Sequence, residues 1–251
     1  MESYLVINSG NTMTNLSIFR NGKIVFKSAV ENSKFKSLPV AVTSYKKEVK
    51  GIFIGTVNPE ITQSLSKELK KKFGLKPYIV NHSVNSMKIN YSPVESLGID
   101  RLANAVGAAN EYGLPLTVVD LGTATTFNVV NTKKEFVGGA IAIGLNLAKS
   151  ALHEKTVMLP EVKVIDLGRK INVIGKTTEH CLQSGLLHGL GGMIDGMIER
   201  IQRELGVKMM TVIATGGNAK LISPYSKTIR KVDTDITLKG IYIMGKYQTN
   251  V

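Results

Sequence analysis

Short apolar runs alternate with polar turns along this chain, and one arrangement occurs twice. Leu5-Val6-Ile7 leads through Asn8-Ser9-Gly10-Asn11-Thr12 into Leu16-Ser17-Ile18-Phe19. Val118-Val119 leads through Asp120-Leu121-Gly122-Thr123-Ala124-Thr125-Thr126 into Phe127-Asn128-Val129-Val130. Each is an apolar strand that reaches a polar residue, turns through a glycine with hydroxyl or amide neighbours, and leaves as a second strand. In the first half the pattern predicts strands over 4–8, 15–19 and 23–26, the last two joined by Asn21-Gly22, a strong hairpin signal. The run from Gly51 to Asn58 reads as a buried strand. Pro59 then opens a helix to Lys72 in which Ile61, Leu65, Leu69 and Phe73 recur every four residues. A strand over 77–81 follows, and a helix over 100–112 carries Leu102, Ala105, Val106 and Ala109 on one side.

The second half repeats the scheme with strands over 116–120, 125–130 and 135–141 and a turn at 131–134. A later buried strand, Thr211-Val212-Ile213-Ala214, ends in Thr215-Gly216-Gly217 and opens a helix. The stretch from 177 to 205 is helical by pattern, broken or tightly packed at Gly185, Gly189, Gly191 and Gly192. Glycines there point to close packing against a neighbour such as the partner subunit of a dimer.

A glycine at a strand-to-strand turn lets backbone approach a ligand. The surrounding N–H groups and hydroxyls then become donors for anionic oxygens. Two such turns, one in each half, predict a duplicated fold with two phosphate-binding hairpins facing across a cleft. The lobes divide near Gly113, as 1–113 and 114–251.

Composition narrows the function classes. At 251 residues and 43% hydrophobic the chain can build one large domain or two lobes. No apolar run approaches the roughly 18 residues of a membrane span, and no cationic segment precedes an apolar one as in a signal peptide. One cysteine, Cys181, excludes an internal disulfide and fits a reducing cytoplasm; its helical setting reads as a small buried side chain. The net charge of +13 raises the question of nucleic acid. The lysines are dispersed, however, and the cluster Lys67 to Lys72 falls on the outward face of the helix after Pro59, without interleaved aromatics that stack bases. The expectation is neither nucleic acid nor membrane as a partner.

Several chemical motifs fail on spacing. Gly175-Lys176-Thr177 would need a glycine where Lys170 stands, and the nearest earlier one is Gly168, so it is not a Walker A loop. Gly189-Leu190-Gly191 meets Ile194 where a dinucleotide fingerprint needs glycine. His82, His153, His180 and His188 lack metal-ligand spacing. What survives is carboxylate, glycine and hydroxyl chemistry. Asp100-Arg101 stands at a loop-to-helix junction, where Asp100 is either a helix cap or a base beside a guanidinium that binds carboxylates. Asp120 ends a valine-rich strand directly before a glycine turn, a costly place for a carboxylate without a cation or donors.

Together these pieces resemble the type III pantothenate kinases of the actin, hexokinase and Hsp70 ATPase-fold superfamily. The resemblance is carried in order by Ser9-Gly10-Asn11-Thr12, Tyr91-Ser92-Pro93, Gly98 to Ala105, Val119 to Thr126, Gly138-Gly139-Ala140-Ile141-Ala142, Gly175-Lys176-Thr177-Thr178 and Ala214-Thr215-Gly216-Gly217, with Leu238-Lys239-Gly240 continuing it. It implies an α/β protein of two duplicated ribonuclease H-like lobes in the actin-like ATPase fold, with mixed sheets flanked by helices. The implied activity is ATP-dependent phosphorylation of pantothenate to 4'-phosphopantothenate, the first step of coenzyme A biosynthesis, by a cytoplasmic homodimer. Asn8, Ser9, Gly10, Asn11, Thr12, Met13, Thr14 and Asn15 would hold the ATP phosphates with Thr123. Asp100 would be the general base. Tyr91, Gly98, Ile99, Asp100, Arg101 and Thr178 would form the pantothenate site. Asp120 would ligate a monovalent cation, K⁺ or NH₄⁺, alongside Mg²⁺-ATP.

The chain departs from the family in three places. Asn8 replaces the aspartate that opens the first motif, keeping a carbonyl acceptor but losing the charge beside Mg²⁺. Ile143 stands where a proline is usual, and Asn128 where an aspartate is common. Asn8 leaves a second expectation open: a catalytically weakened or inactive paralogue that binds pantothenate or nucleotide as an accessory protein.

Overall fold

The computed structural model describes residues 2–32, 40–57, 59–84, 87–163 and 171–250. Gly168, Lys170 and Asn58 lie outside them. Two compact units emerge: residues Met1–Glu111 with Asp235–Val251, and Tyr112–Thr234.

Unit 1 begins with the antiparallel strands β1 (Ser3–Ser9), β2 (Met13–Arg20) and β3 (Lys23–Glu31). The short helix α1 (Val40–Thr43), strand β4 (Val49–Thr56), helix α2 (Pro59–Phe73) and strands β5 (Tyr78–Ile79) and β6 (Lys88–Ile89) follow. A 3₁₀ turn at Val94–Ser96 leads into α3 (Ile99–Glu111). The sheet runs β3-β2-β1-β4-β5, with β1 parallel to β4. Period-2 alternation sorts its faces. Leu5, Ile7, Leu16, Ile18, Ile52 and Ile54 pack on one side with Leu65, Leu69 and Phe73 of α2. That burial leaves Lys67, Lys70 and Lys71 exposed and pairs Lys72 with Glu68 at 3.0 Å, so this lysine cluster is a solvated face.

Unit 2 carries β7 (Leu116–Leu121), β8 (Ala124–Val130) and β9 (Glu135–Ile143), then helices α4 (Leu145–Glu154) and α5 (Thr178–Glu204). Strand β10 (Thr211–Thr215), helix α6 (Ala219–Ile222) and strand β11 (Lys231–Val232) complete it. Within the unit the strands run β11-β10-β7-β8-β9. Val119, Leu121, Phe127, Val212 and Ala214 pack with Leu187, Leu190, Ile194 and Ile198 of α5.

The last helix, α7 (Ile236–Gln248), differs from the division near Gly113, because it belongs to unit 1. Helices α3 and α7 pass each other at glycines: a Cβ on Gly107 would meet Ile236 O at 2.4 Å, and one on Gly240 would meet Ala103 O at 1.9 Å. Only hydrogen fits between those backbones.

Helix α5 is continuous through its glycines. Gly191 is packed, since a Cβ there would fall 2.1 Å from Tyr225 O, whereas Gly185, Gly189 and Gly192 have nothing within 4 Å. Cys181 is exposed, contrary to the reading of it as buried. It lies in the first turn of α5, where residues 178–181 are all exposed, and its thiol donates to Gly175 O at 3.4 Å. Among the described residues no helix is long and apolar enough to cross a membrane.

Candidate functional site

The β1–β2 turn is tied down from within unit 1. Gly10 N–H donates to Met13 O at 3.0 Å, closing the turn. Ser9 and Thr14, paired across the ladder and both buried, share a hydroxyl contact of 3.1 Å. Thr14 Oγ1 donates to Asn32 Oδ1 at 2.8 Å, and Asn32 Nδ2 donates to Gly10 O at 2.8 Å and Asn11 O at 3.0 Å. Asn11 and Thr12 remain exposed at the tip, with Met13 and Asn15 partly buried below.

Asn8 lies on the other face of β1 from Ile7 and Ser9, opposite Asn15 and Gly55. Its Oδ1 is buried without a hydrogen-bond partner. A Cβ on Gly55 would lie 3.4 Å from Ile99 Cγ2, so the first turn of α3 abuts the sheet at the residue paired with Asn8. The fold therefore brings the Asn8 strand end and the Gly98–Arg101 turn to one end of unit 1.

In that turn Asp100 folds back over its own backbone. Oδ1 accepts from Arg101 N–H at 2.8 Å, and a Cβ on Gly98 would sit 2.5 Å from the same oxygen. Gly98 is thus required for the carboxylate to lie where it does. Burial pushes the Asp100 carboxyl above its ordinary value; the Arg101 N–H and guanidinium pull the other way without cancelling it. Arg101 is 7% exposed, its guanidinium 5.8 Å from the Tyr91 ring centroid. His82 Nε2 contacts Leu97 O at 2.7 Å and pins the loop before Gly98. Tyr91, Gly98, Ile99, Asp100 and Arg101 are therefore assembled as one cluster.

Unit 2 holds the other named residues. Asp120 lies opposite Thr126 on β8 and Thr215 on β10, so their side chains share a sheet face. Its Oδ1 is wedged between glycines, 3.6 Å from a Cβ on Gly122 and 2.5 Å from one on Gly216, which has φ +88. Thr215 Oγ1 is buried with no hydrogen-bond partner. Thr123 packs by its carbonyl on the start of α4, where a Cβ on Gly144 would come within 2.1 Å of Thr123 O. Thr178 is the exposed first residue of α5, behind the cap in which Thr177 Oγ1 accepts from His180 N–H at 3.2 Å.

The family profile described as type III pantothenate kinase matches residues 4–200. The chain belongs to the type III pantothenate kinase family. The type III pantothenate kinase of Finegoldia magna is 36% identical over 98% of this chain and 98% of its own. That of Moorella thermoacetica is 39% identical over 81% and 79%. Among solved structures, component A of the (R)-2-hydroxyglutaryl-CoA dehydratase of Acidaminococcus fermentans superposes with a TM-score of 0.60 at 15% identity, covering 99% of this chain and 100% of that one. The inorganic polyphosphate/ATP-glucomannokinase of an Arthrobacter strain gives 0.52 at 14% identity, covering 99% and 100%. These likenesses fix the fold as the actin-like ATPase and sugar-kinase type, as the family resemblance implies. Family membership makes the chain a kinase of an ATP-using type III pantothenate kinase group.

Two polar residues escaped the sequence reading. Asn32 follows β3 with no periodicity to mark it. Thr215 stood inside a quoted motif without a role; a hydroxyl before Gly216-Gly217 at a strand end was its available signal.

Proposed function

We propose that this chain transfers the γ-phosphoryl group of ATP to the hydroxyl of pantothenate, opening coenzyme A biosynthesis, with Asp100 as general base. The observation that carries the assignment is the Asp100 carboxylate, held over Gly98 by the Arg101 N–H and raised above its ordinary value beside a buried guanidinium. A base raised in this way accepts a proton more readily, while Arg101, ordered against Tyr91, orients an anionic substrate. Gly98 and Ile99 belong to the same cluster of unit 1, and the family resemblance assigns Thr178 to pantothenate as well. The turn from Asn8 to Asn15 receives the triphosphate, and the family resemblance assigns Thr123 a phosphate contact of its own. Phosphoryl transfer has a loose transition state, so positioning and charge neutralisation supply most of the catalysis.

The residues present fit both cations. Asn8 Oδ1, buried and unpartnered, is an acceptor suited to a water of Mg²⁺. Asp120 with the orphaned Thr215 Oγ1 on the same face offers hard oxygen donors for K⁺ or NH₄⁺. When bound, these ions neutralise charge on the phosphates.

The protein acts as a homodimer in the cytoplasm, where ATP is available and Cys181 stays reduced. The open glycine face of α5 and the exposed Ile141, Ile143, Leu147, Val173 and Ile174 support the dimer. Light scattering at micromolar concentration should return twice the monomer mass; a monomer refutes it. A second reading rests on Asn8, whose neutral amide leaves Mg²⁺ without its carboxylate: an accessory paralogue that binds pantothenate or nucleotide without turnover. A coupled assay for ADP, with and without pantothenate, decides between them. Pantothenate-dependent ADP release that disappears in Asp100→Asn supports the kinase; none in wild type or in Asn8→Asp supports the accessory protein.

A further inference from the structure

We propose that Asn32 is the positioning residue of the triphosphate loop, aiming its amides at the phosphate oxygens. This rests on the reading that the β1–β2 turn receives ATP. One side-chain amide makes three bonds here: Nδ2 donates to Gly10 O and Asn11 O, and Oδ1 accepts from Thr14 Oγ1, at 2.8, 3.0 and 2.8 Å. Asn32 N–H also donates to Thr12 O at 2.8 Å, extending the β2–β3 ladder beyond its last pair, Met13 with Glu31. Both nitrogen-bound carbonyls belong to trans peptides at the tip of the loop. In a trans peptide the C=O and N–H point in opposite directions. Drawing Gly10 O toward Asn32 therefore turns Asn11 N–H away from it, and drawing Asn11 O does the same to the following amide. Successive amides turned one way form a concavity for an anion.

The side chain is also oriented by what holds it. Thr14 is buried and bonded to buried Ser9, so the Oδ1 end of Asn32 is anchored to the sheet while its Nδ2 end grips the loop. Asparagine alone among small side chains carries both an acceptor and a two-hydrogen donor. Aspartate is the same size but would set a carboxylate against two carbonyls.

The test is steady-state kinetics on Asn32→Ala, Asn32→Asp, Thr14→Val and the double variant Thr14→Val/Asn32→Ala, with melting temperature recorded for each. Asn11→Glu, an exposed substitution at the loop tip, reports on the loop itself. The expected result is a rise of about tenfold in KM for ATP in both Asn32 variants, corresponding to loss of the two Nδ2 hydrogen bonds to the loop that both variants lack. KM for pantothenate should stay within twofold, and the double variant should be no worse than Asn32→Ala because both changes cut one chain of contacts. A merely structural asparagine would lower the melting temperature and leave the two KM values in proportion. If Asn11→Glu raises KM for ATP and the Asn32 variants do not, the proposal fails and the loop reading stands. If Asn11→Glu leaves KM for ATP unchanged, both fall. Should Asn32→Ala not fold, Thr14→Val alone decides: a selective rise of about threefold in KM for ATP supports the proposal and no change overturns it.

Discussion

Restoring a carboxylate at position 8 tests the site from both sides. In Asn8→Asp a charge replaces an amide whose oxygen is already buried without a partner. Its neighbours across the ladder, Asn15 and Gly55, bring no cation. Leaving such a group unsatisfied costs about 1–3 kcal/mol, more when it is charged. For a protein of this length that corresponds to a fall of roughly 2–12 °C in melting temperature without ligand. With Mg²⁺-ATP bound the same carboxylate gains a charge-assisted contact of about 1.5–3 kcal/mol, or about 10- to 100-fold in kcat/KM at 1.36 kcal/mol per decade. The assay couples ADP release to NADH oxidation over a Mg²⁺ titration, beside thermal melts with and without Mg²⁺-ATP. The expected signature is opposed: a lower melting temperature alone, a larger stabilisation by Mg²⁺-ATP, and faster turnover. A variant with unchanged melting and kcat/KM within threefold of wild type would show that Asn8 does not face the metal-nucleotide.

Asp100→Asn should abolish turnover while pantothenate still binds in calorimetry. Because the folded carboxyl is raised, the native state holds its proton to higher pH than the unfolded chain, so stability is fully present below the ordinary carboxyl value, is lost as pH rises from there through the raised value, and stays at that lower level above it. Asp100→Asn should therefore melt higher than wild type at neutral pH, with the difference closing below the ordinary carboxyl range; in wild type, kcat/KM should fall as pH drops through the raised value. Gly240→Ala, forcing a Cβ to 1.9 Å from Ala103 O, should cost about 3 kcal/mol in urea unfolding, while Gly113→Ala, with nothing within 4 Å, should be neutral. At Asp195, desolvation pushes the carboxyl up, but hydrogen bonds from Lys227 N–H, the Ser226 and Thr228 hydroxyls and Thr228 N–H outweigh it and hold it below its ordinary value. Its stabilisation is present above the unfolded value and lost as pH falls through the lowered one; discounted for solvent screening, Asp195→Asn should cost about 0.5–1 kcal/mol at pH 7 and little at acid pH, by denaturant titration.

The hairpins were legible because half-buried strands alternate, and Asn21-Gly22 and the turn at 131–134 punctuate them. β3 runs on to Glu31 beyond the predicted 26 because Lys27 to Glu31 alternate exposed and partly buried positions, a weak pattern for an edge strand. Helix α7 left no clear signal: Ile236-Thr237-Leu238-Lys239-Gly240-Ile241-Tyr242-Ile243-Met244-Gly245 mixes β-branched, aromatic and glycine residues, all poor helix formers. Its glycines are tolerated because Ala103 and Phe53 press against them. Local propensity yields there to packing that only the folded unit reveals. The Gly98–Arg101 site was legible as a motif, but its folded-back carboxylate needed the backbone geometry, and Asn32 needed a contact across the turn.

That α7 belongs with strands made more than two hundred residues earlier sets an order of events in synthesis. The aromatic pile of Tyr4, Phe19 and Phe53 against Tyr242 cannot assemble until the ribosome has passed the second unit. The nascent amino-terminal sheet must wait with one greasy side uncovered while its neighbour matures. A stop codon at 235 would release a protein whose second unit can be finished and whose first cannot.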